Sequence, residues 1–275
     1  SIWHRKGFSV EKNFSDVCRK YFSSPVNEID FNSAEASKII NSWIESNTGG
    51  KIKDMVEQNI SPEVMMYLIN AIYFKGAWTQ TFDSKQTKEE LFIIDENNSI
   101  KTPMMKQKGE YYYLKINSLQ VIELPYSEKK FSMIIFLPSE GLDTFIKNTD
   151  YTLLQHYITS LHPDSGNIYL PQFKLNYEID LKDILIGMGM KVAFNPSADF
   201  TSIHKPGGIF ISKVKHKSFL EVDEEGTEAA AATIVEMIKS SIGPFNMVCN
   251  RPFMLIIRER EGNHILFIGK VDKPG

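Results

Sequence analysis

A chain of 275 residues, 42% hydrophobic and 24% charged, can bury a substantial core as one large domain or two small ones. Its formal net charge of -3 and pI near 6.1 give no support for a nucleic-acid binder. No apolar run is long enough to span a membrane and nothing at the start resembles a signal peptide, which leaves the compartment open.

In chain order, Ser1-Ile2-Trp3 reads as the tail of a strand whose beginning is absent. Val10, Phe14, Val17, Cys18 and Tyr21 recur at helical spacing and predict an amphipathic helix over 10–22, followed by a strand over 26–31. Asn32 and Glu35 have the spacing of a capping box. Behind them, Ile39, Ile40, Trp43 and Ile44 form one helical face, and Gly49-Gly50 ends the helix. Gly49-Gly50-Lys51 lacks the first glycine and the Ser/Thr of a phosphate loop, so it reads as a helix stop. The run 64–74 is almost continuously apolar, which predicts a central strand buried on both faces. Asn70 sits in its middle. An unbonded buried amide costs about 1–3 kcal/mol, so a partner for Asn70 is expected. Lys75-Gly76-Ala77-Trp78 ends the strand on a large aromatic.

Strands are expected over 114–126 and 131–137, joined by the polar turn Ser127-Glu128-Lys129-Lys130. Short helices are expected over 142–147, 151–161 and 181–190, with a strand over 167–177 around Pro171. Residues 209–222 alternate. Phe210, Val214, His216, Leu220 and Val222 share the face expected to be buried; Lys213, Lys215, Lys217 and Glu221 share the face expected to be solvated. Strands over 253–257 and 264–271 form a hairpin through Arg258-Glu259-Arg260-Glu261-Gly262-Asn263. Strands and helices mix without a βαβ repeat, which argues for an α+β fold with large, mainly antiparallel sheets.

Cys18 and Cys249 read as buried thiols, and their spacing suits no metal site. Asn13-Phe14-Ser15, Asn59-Ile60-Ser61 and Asn97-Asn98-Ser99 fit the glycosylation pattern, a triplet common by chance. The six histidines are scattered, and no hydrolase motif is present. His162-Pro163-Asp164-Ser165-Gly166 holds triad residue types but reads as a turn, where they cannot converge on one atom. His216, on the apolar face of a strand, is a candidate partner for Asn70.

The segment 224–241 supports two readings. Its alanines, Thr227 as a cap and the spacing of Ile234, Met237 and Ile238 favour a helix. At period two it is a strand, with Thr227, Ala229, Ala231 and Thr233 on a small-residue face. Alanine is depleted in ordinary strands. So many alanines fit a strand that slides into a gap between existing strands.

Taken together, these segments resemble the serpin family over essentially the whole chain. The matching motifs run in order. They are Asn70-Ala71-Ile72-Tyr73-Phe74-Lys75-Gly76-Ala77-Trp78, Glu123-Leu124-Pro125-Tyr126, Phe136-Leu137-Pro138, and Leu170-Pro171-Gln172-Phe173-Lys174-Leu175. Gly187-Met188, Ala193-Phe194 and Ala198-Asp199-Phe200 follow. His216-Lys217 and Glu221 to Ala231 resemble the strand entering the reactive loop and the loop's hinge. Met247 to Ile257, with Asn250-Arg251-Pro252-Phe253, fits the family signature.

The resemblance implies one serpin domain over 1–275, lacking the family's N-terminal helical part, with a large mainly antiparallel sheet, smaller sheets and surrounding helices. It implies a suicide inhibitor of serine proteases that is not itself an enzyme and uses no cofactor or metal. The reactive-centre loop is placed at about 224–246. Its hinge is Glu224, Gly226, Thr227, Glu228, Ala229, Ala230, Ala231 and Ala232, and 226–239 inserts as a new strand. Asn70, His216 and Trp78 mark the region where the sheet opens. Family register puts the scissile bond at Ser240–Ser241, suiting an elastase-like or subtilisin-like target; a one-residue shift to Lys239 suits a trypsin-like one. A non-inhibitory carrier or chaperone of the same fold is the alternative. Extracellular residence is expected from the family, with a missing N-terminal segment or fragment as a further partner and no nucleic acid or membrane.

Overall fold

The computed structural model describes residues 1–227 and 244–275. In chain order, the first elements are β1 (Ile2–Arg5), α1 (Lys12–Phe22), β2 (Val26–Ile29), α2 (Ala36–Asn47), β3 (Met66–Leu68) and β4 (Asn70–Tyr73). Then come β5 (Gly76–Ala77), β6 (Lys88–Ile93), β7 (Ser99–Ile116), β8 (Leu119–Pro125), β9 (Phe131–Pro138), α3 (Leu142–Lys147) and α4 (Tyr151–Thr159). The rest are β10 (His162–Pro171), β11 (Phe173–Asp180), α5 (Lys182–Gly187), β12 (Lys215–Val222), β13 (Gly226–Thr227), β14 (Phe245–Val248), β15 (Phe253–Glu259) and β16 (Ile265–Val271). The fold is α+β, as expected.

The chain divides into two compact units: Ser1–Tyr73 with Asn176–Phe219, and Phe74–Leu175 with Leu220–Gly275. In the first unit, β1 lies between β2 and β3, and β12 lies between β11 and β4. β3 and β4 are consecutive pieces of one run broken at Ile69, whose N–H donates to the Ser1 carbonyl (2.9 Å). β4 and β12 are direct parallel neighbours, His216 opposite Asn70 and Phe219 opposite Tyr73. Trp3, Phe31, Ile40, Ile44, Ile52 and Met55 form this unit's core. In the second unit, an eight-stranded, mainly antiparallel sheet runs β14-β10-β7-β8-β9-β15-β16, with β6 paired to β7. One face packs around Trp78, Tyr126, Phe173 and Phe253; the other packs Ile134, Phe136 and Ile256 against Leu154 and Ile158 of α4. Each unit holds one free thiol, Cys18 in the first and Cys249 in the second, both buried as expected.

Several local expectations change. The run 64–74 is not one strand buried on both faces. Among the described residues its halves pair on one side each, β3 with β1 and β4 with β12; Leu68 is 60% exposed and Asn70 is exposed. The expected strand 114–126 breaks where Asn117 takes φ +32°, and the upstream part belongs to the 18-residue β7. His162 to Gly166 is no turn; it is extended in β10, in register with Tyr113 to Gly109 of β7. The alternating run 209–222 becomes a strand only at Lys215. Upstream, the Ile211 N–H goes to the Ala193 carbonyl (2.9 Å) and the Val214 N–H to Asp180 Oδ1 (3.2 Å). Asn32 and Glu35 form no capping box: Asn32 Oδ1 accepts from Arg5 (2.9 Å) and Glu35 accepts from Lys38 (2.8 Å). α1 forms, yet Cys18 is its one buried residue; Val17 and Tyr21 of its stripe are exposed.

Candidate functional site: the hinge at residues 223–227

Within the second unit, the chain reverses direction as soon as β12 ends at Val222. Asp223 builds the reversal. Its Oδ1 accepts from the N–H groups of Glu225 (2.9 Å) and Gly226 (3.2 Å), an Asx-turn, and its own N–H donates to the Gly226 carbonyl (3.0 Å). β13 then runs antiparallel to β5, Gly226 opposite Ala77 and Thr227 opposite Gly76. Gly226 has φ +139°, and a Cβ there would lie 2.4 Å from the Gly76 oxygen and 2.7 Å from the Trp78 nitrogen. Only glycine supplies both that dihedral and that clearance.

The segment after β5 satisfies three successive hinge carbonyls. The Trp78 indole N–H donates to Asp223 O (3.0 Å), the Phe82 N–H to Glu224 O (2.9 Å) and the Trp78 N–H to Glu225 O (3.0 Å). The Glu224 carboxylate accepts from the Thr87 hydroxyl (2.5 Å) and the Gln172 amide (2.7 Å). Thr227, 1% exposed, shares a 3.0 Å hydrogen bond with the Tyr126 phenol. Tyr126 stacks on Trp78 with centroids 4.7 Å apart and planes 11° from parallel. Burial pushes the Tyr126 phenol up, so it stays neutral. Residues 223–227 are thus anchored by backbone and side-chain hydrogen bonds up to Thr227.

Of the residues singled out from sequence, Glu224, Gly226, Thr227 and Trp78 meet in this one cluster. Asn70 and His216 are opposite each other in the β4–β12 pairing, but no side-chain hydrogen bond joins them among the described residues. Glu228, Ala229, Ala230, Ala231, Ala232, Lys239, Ser240 and Ser241 lie outside the described residues. Sequence reasoning gave no role to Tyr126, Asp223, Thr87 or Gln172. Asp223 carried a usable signal, an Asx residue two and three positions ahead of the N–H groups it binds. Thr87 and Gln172 are 137 and 52 residues from Glu224 and carried none.

The α+β architecture, with its eight-stranded, mainly antiparallel sheet, is a serpin fold. The family model described as Serpin (serine protease inhibitor) matches residues 1–274, and the chain belongs to the serpin family. Human Serpin B3 is 38% identical, the match covering 99% of this chain and 73% of that protein. Neuroserpin of Gallus gallus is 35% identical over 100% of this chain and 70% of the relative. Among solved structures, human thyroxine-binding globulin complexed with thyroxine superposes with TM-score 0.88 at 30% identity, covering 99% of this chain and 73% of that one. Mouse protein-Z dependent protease inhibitor superposes with TM-score 0.86 at 29% identity, covering 100% and 73%. Serpins are mostly protease inhibitors rather than enzymes, and some are carriers; metastability and loop insertion are general properties of the family.

Proposed function

We propose that the chain is an inhibitory serpin acting on serine proteases of elastase-like or subtilisin-like specificity. The observation that carries this reading is the hinge at Thr227. A small side chain already occupies a fully buried, antiparallel strand position beside β5, while β4 and β12 are still paired directly. In the proposed mechanism the protease's serine adds to the Ser240 carbonyl and the Ser240–Ser241 amide breaks. Ser241 leaves with the new amino group, and Ser240 stays esterified to the protease. Residues 226–239 then enter between β4 and β12, past Asn70 and His216, with Trp78 where entry begins. Lys239 as the cut site, with a trypsin-like target, is the alternative register.

The test is incubation with a panel of serine proteases, followed by denaturing electrophoresis and mass spectrometry of the fragments. A covalent complex that survives denaturation, with cleavage after Ser240, is expected. Cleavage and turnover by every protease would overturn the reading. Thr227→Arg should convert inhibitor to substrate, because its charge would have to enter the 1%-exposed site of Thr227.

The likeness to thyroxine-binding globulin keeps a carrier reading open. Melting before and after loop cleavage separates the two. A large rise in Tm accompanies insertion, and an unchanged Tm marks the carrier.

A further inference from the structure

Over β7, β10 and β14 the large sheet alternates, one face turned to the core and the other outward. Met105, Ile168, Leu170 and Met247 are buried in the unit's core. Between them, Lys106, Lys108, Asn167, Tyr169, Asn246 and Val248 are partly or fully exposed. The register joins these six into one patch. Across the β7–β10 pair, Lys106 is opposite Tyr169 and Lys108 is opposite Asn167. Across the β10–β14 pair, Tyr169 is opposite Val248 and Asn167 is opposite Asn246.

The patch is basic on a chain of net charge -3. Lys106 Nζ sits over the Tyr169 ring, 5.2 Å from its centroid. Among the described residues no carboxylate pairs with the ammonium of Lys106 or of Lys108. Glu110, two positions beyond Lys108, borders a cleft that Lys129 and Arg260 also line, so its charge has cations of its own nearby. The patch also lies close to the reactive loop. β14 begins at Phe245, and the stretch from Ser241 to Phe245 spans at most about 14 Å when fully extended. Lys108 is two strand spacings from Asn246, about 10 Å. A small protein domain is roughly 30 Å across. A protease held at the Ser240–Ser241 bond therefore overhangs the patch.

We propose that Lys106 and Lys108 are specificity-determining residues that favour target proteases carrying acidic residues on the surface beside the active site. This rests on the inhibitory reading above. Opposite charges across such a contact steer the encounter, so they act mainly on the association rate, and salt screens them. Cleavage of the loop and its insertion use neither lysine. The partition between trapping and turnover is therefore independent of the patch, and only the speed and choice of partner depend on it.

The experiment uses the full chain and two forms of subtilisin. One has surface residues beside its cleft changed to Asp and Glu; the other has the same positions changed to Lys. Association rate and stoichiometry of inhibition are measured at low and high salt. With Lys106→Gln/Lys108→Gln, inhibition of the acidic form is expected to be about tenfold slower than with wild type at low salt, at unchanged stoichiometry, and the gap closes at high salt. Lys106→Glu/Lys108→Glu is expected to prefer the lysine-bearing form, a swap that a purely structural role would not produce. Lys115→Gln, the same charge change further along β7, leaves the rates unchanged. Should a double variant fail to fold, Lys108→Glu alone carries the test, since Lys108 is exposed. Equal rates for wild type and folded variants toward both forms overturn the proposal and leave the inhibitory reading standing. Slower inhibition with a raised stoichiometry overturns it as well, because the lysines would then act on insertion. Binding of heparin that is lost in the double variant, with protease rates unchanged, overturns it in favour of a polyanion. No covalent complex with either form overturns the proposal and with it the subtilisin-like inhibitory reading.

Discussion

At position 226 a single methyl group would meet the Gly76 oxygen at 2.4 Å and hold a backbone of φ +139°. Gly226→Ala is therefore expected to cost roughly 1–3 kcal/mol, lowering Tm by roughly 2–4 °C per kcal/mol and reddening Trp78 emission as the β5 pairing opens. An unchanged melt and spectrum would show that the pairing does not form in solution. The sequence supplied Gly226 only through family resemblance, because φ is not written in a residue name. Tyr126 was visible in Glu123-Leu124-Pro125-Tyr126, but its bond to Thr227 spans 101 residues and no local pattern encodes it. Asn70 shows the opposite failure. Its apolar neighbours suggest burial, whereas among the described residues β4 pairs with β12 alone, and the Asn70 side chain is exposed.

Among elements, helices α1 and α2 were legible from apolar spacing, and short helices near α3 to α5 and the β15–β16 hairpin were expected. The β6–β7 hairpin was not, because 88–93 and 99–113 are rich in charged and polar residues that hide a period of two. Nor was the role of Glu123 in β8, a charged residue 3% exposed. Its Oε1 accepts from Ser132 (2.7 Å), Arg258 (2.9 Å) and Arg260 (3.1 Å), tying β8 to β9 and to β15 with its turn. Burial pushes this carboxyl up, but the Ser132 hydroxyl and the two guanidiniums together outweigh it and hold the group below its ordinary 4.5. A depressed carboxyl pKa stabilises the fold fully above the unfolded value, and that stabilisation is lost as pH falls through the folded value. Glu123→Gln should thus cost about 3 kcal/mol at neutral pH, the scale of a broken buried pair. The gap in Tm between variant and wild type should close as pH drops below 4.5. A gap independent of pH would exclude the ionised carboxylate as its source.

On the scale of the whole molecule, the α+β class and the family were readable because motif order survives where individual contacts are invisible. The division into two compact units was not readable, since β11 and β12 each pass from one unit to the other within a single strand. Each unit carries one thiol, and this gives every molecule two internal clocks. Cys249 is fully buried in a large cluster, with its thiol pushed up by burial to about 12. It can be alkylated only when that core opens. Cys18 is 7% exposed, on a helix whose remaining residues are not buried. Pulsed alkylation with peptide mapping should mark Cys18 well before Cys249 in mild denaturant. Simultaneous labelling would mean that the two units open as one. Run during loop cleavage, the same pair of clocks would time how each half of the protein breathes while the loop finds its final place.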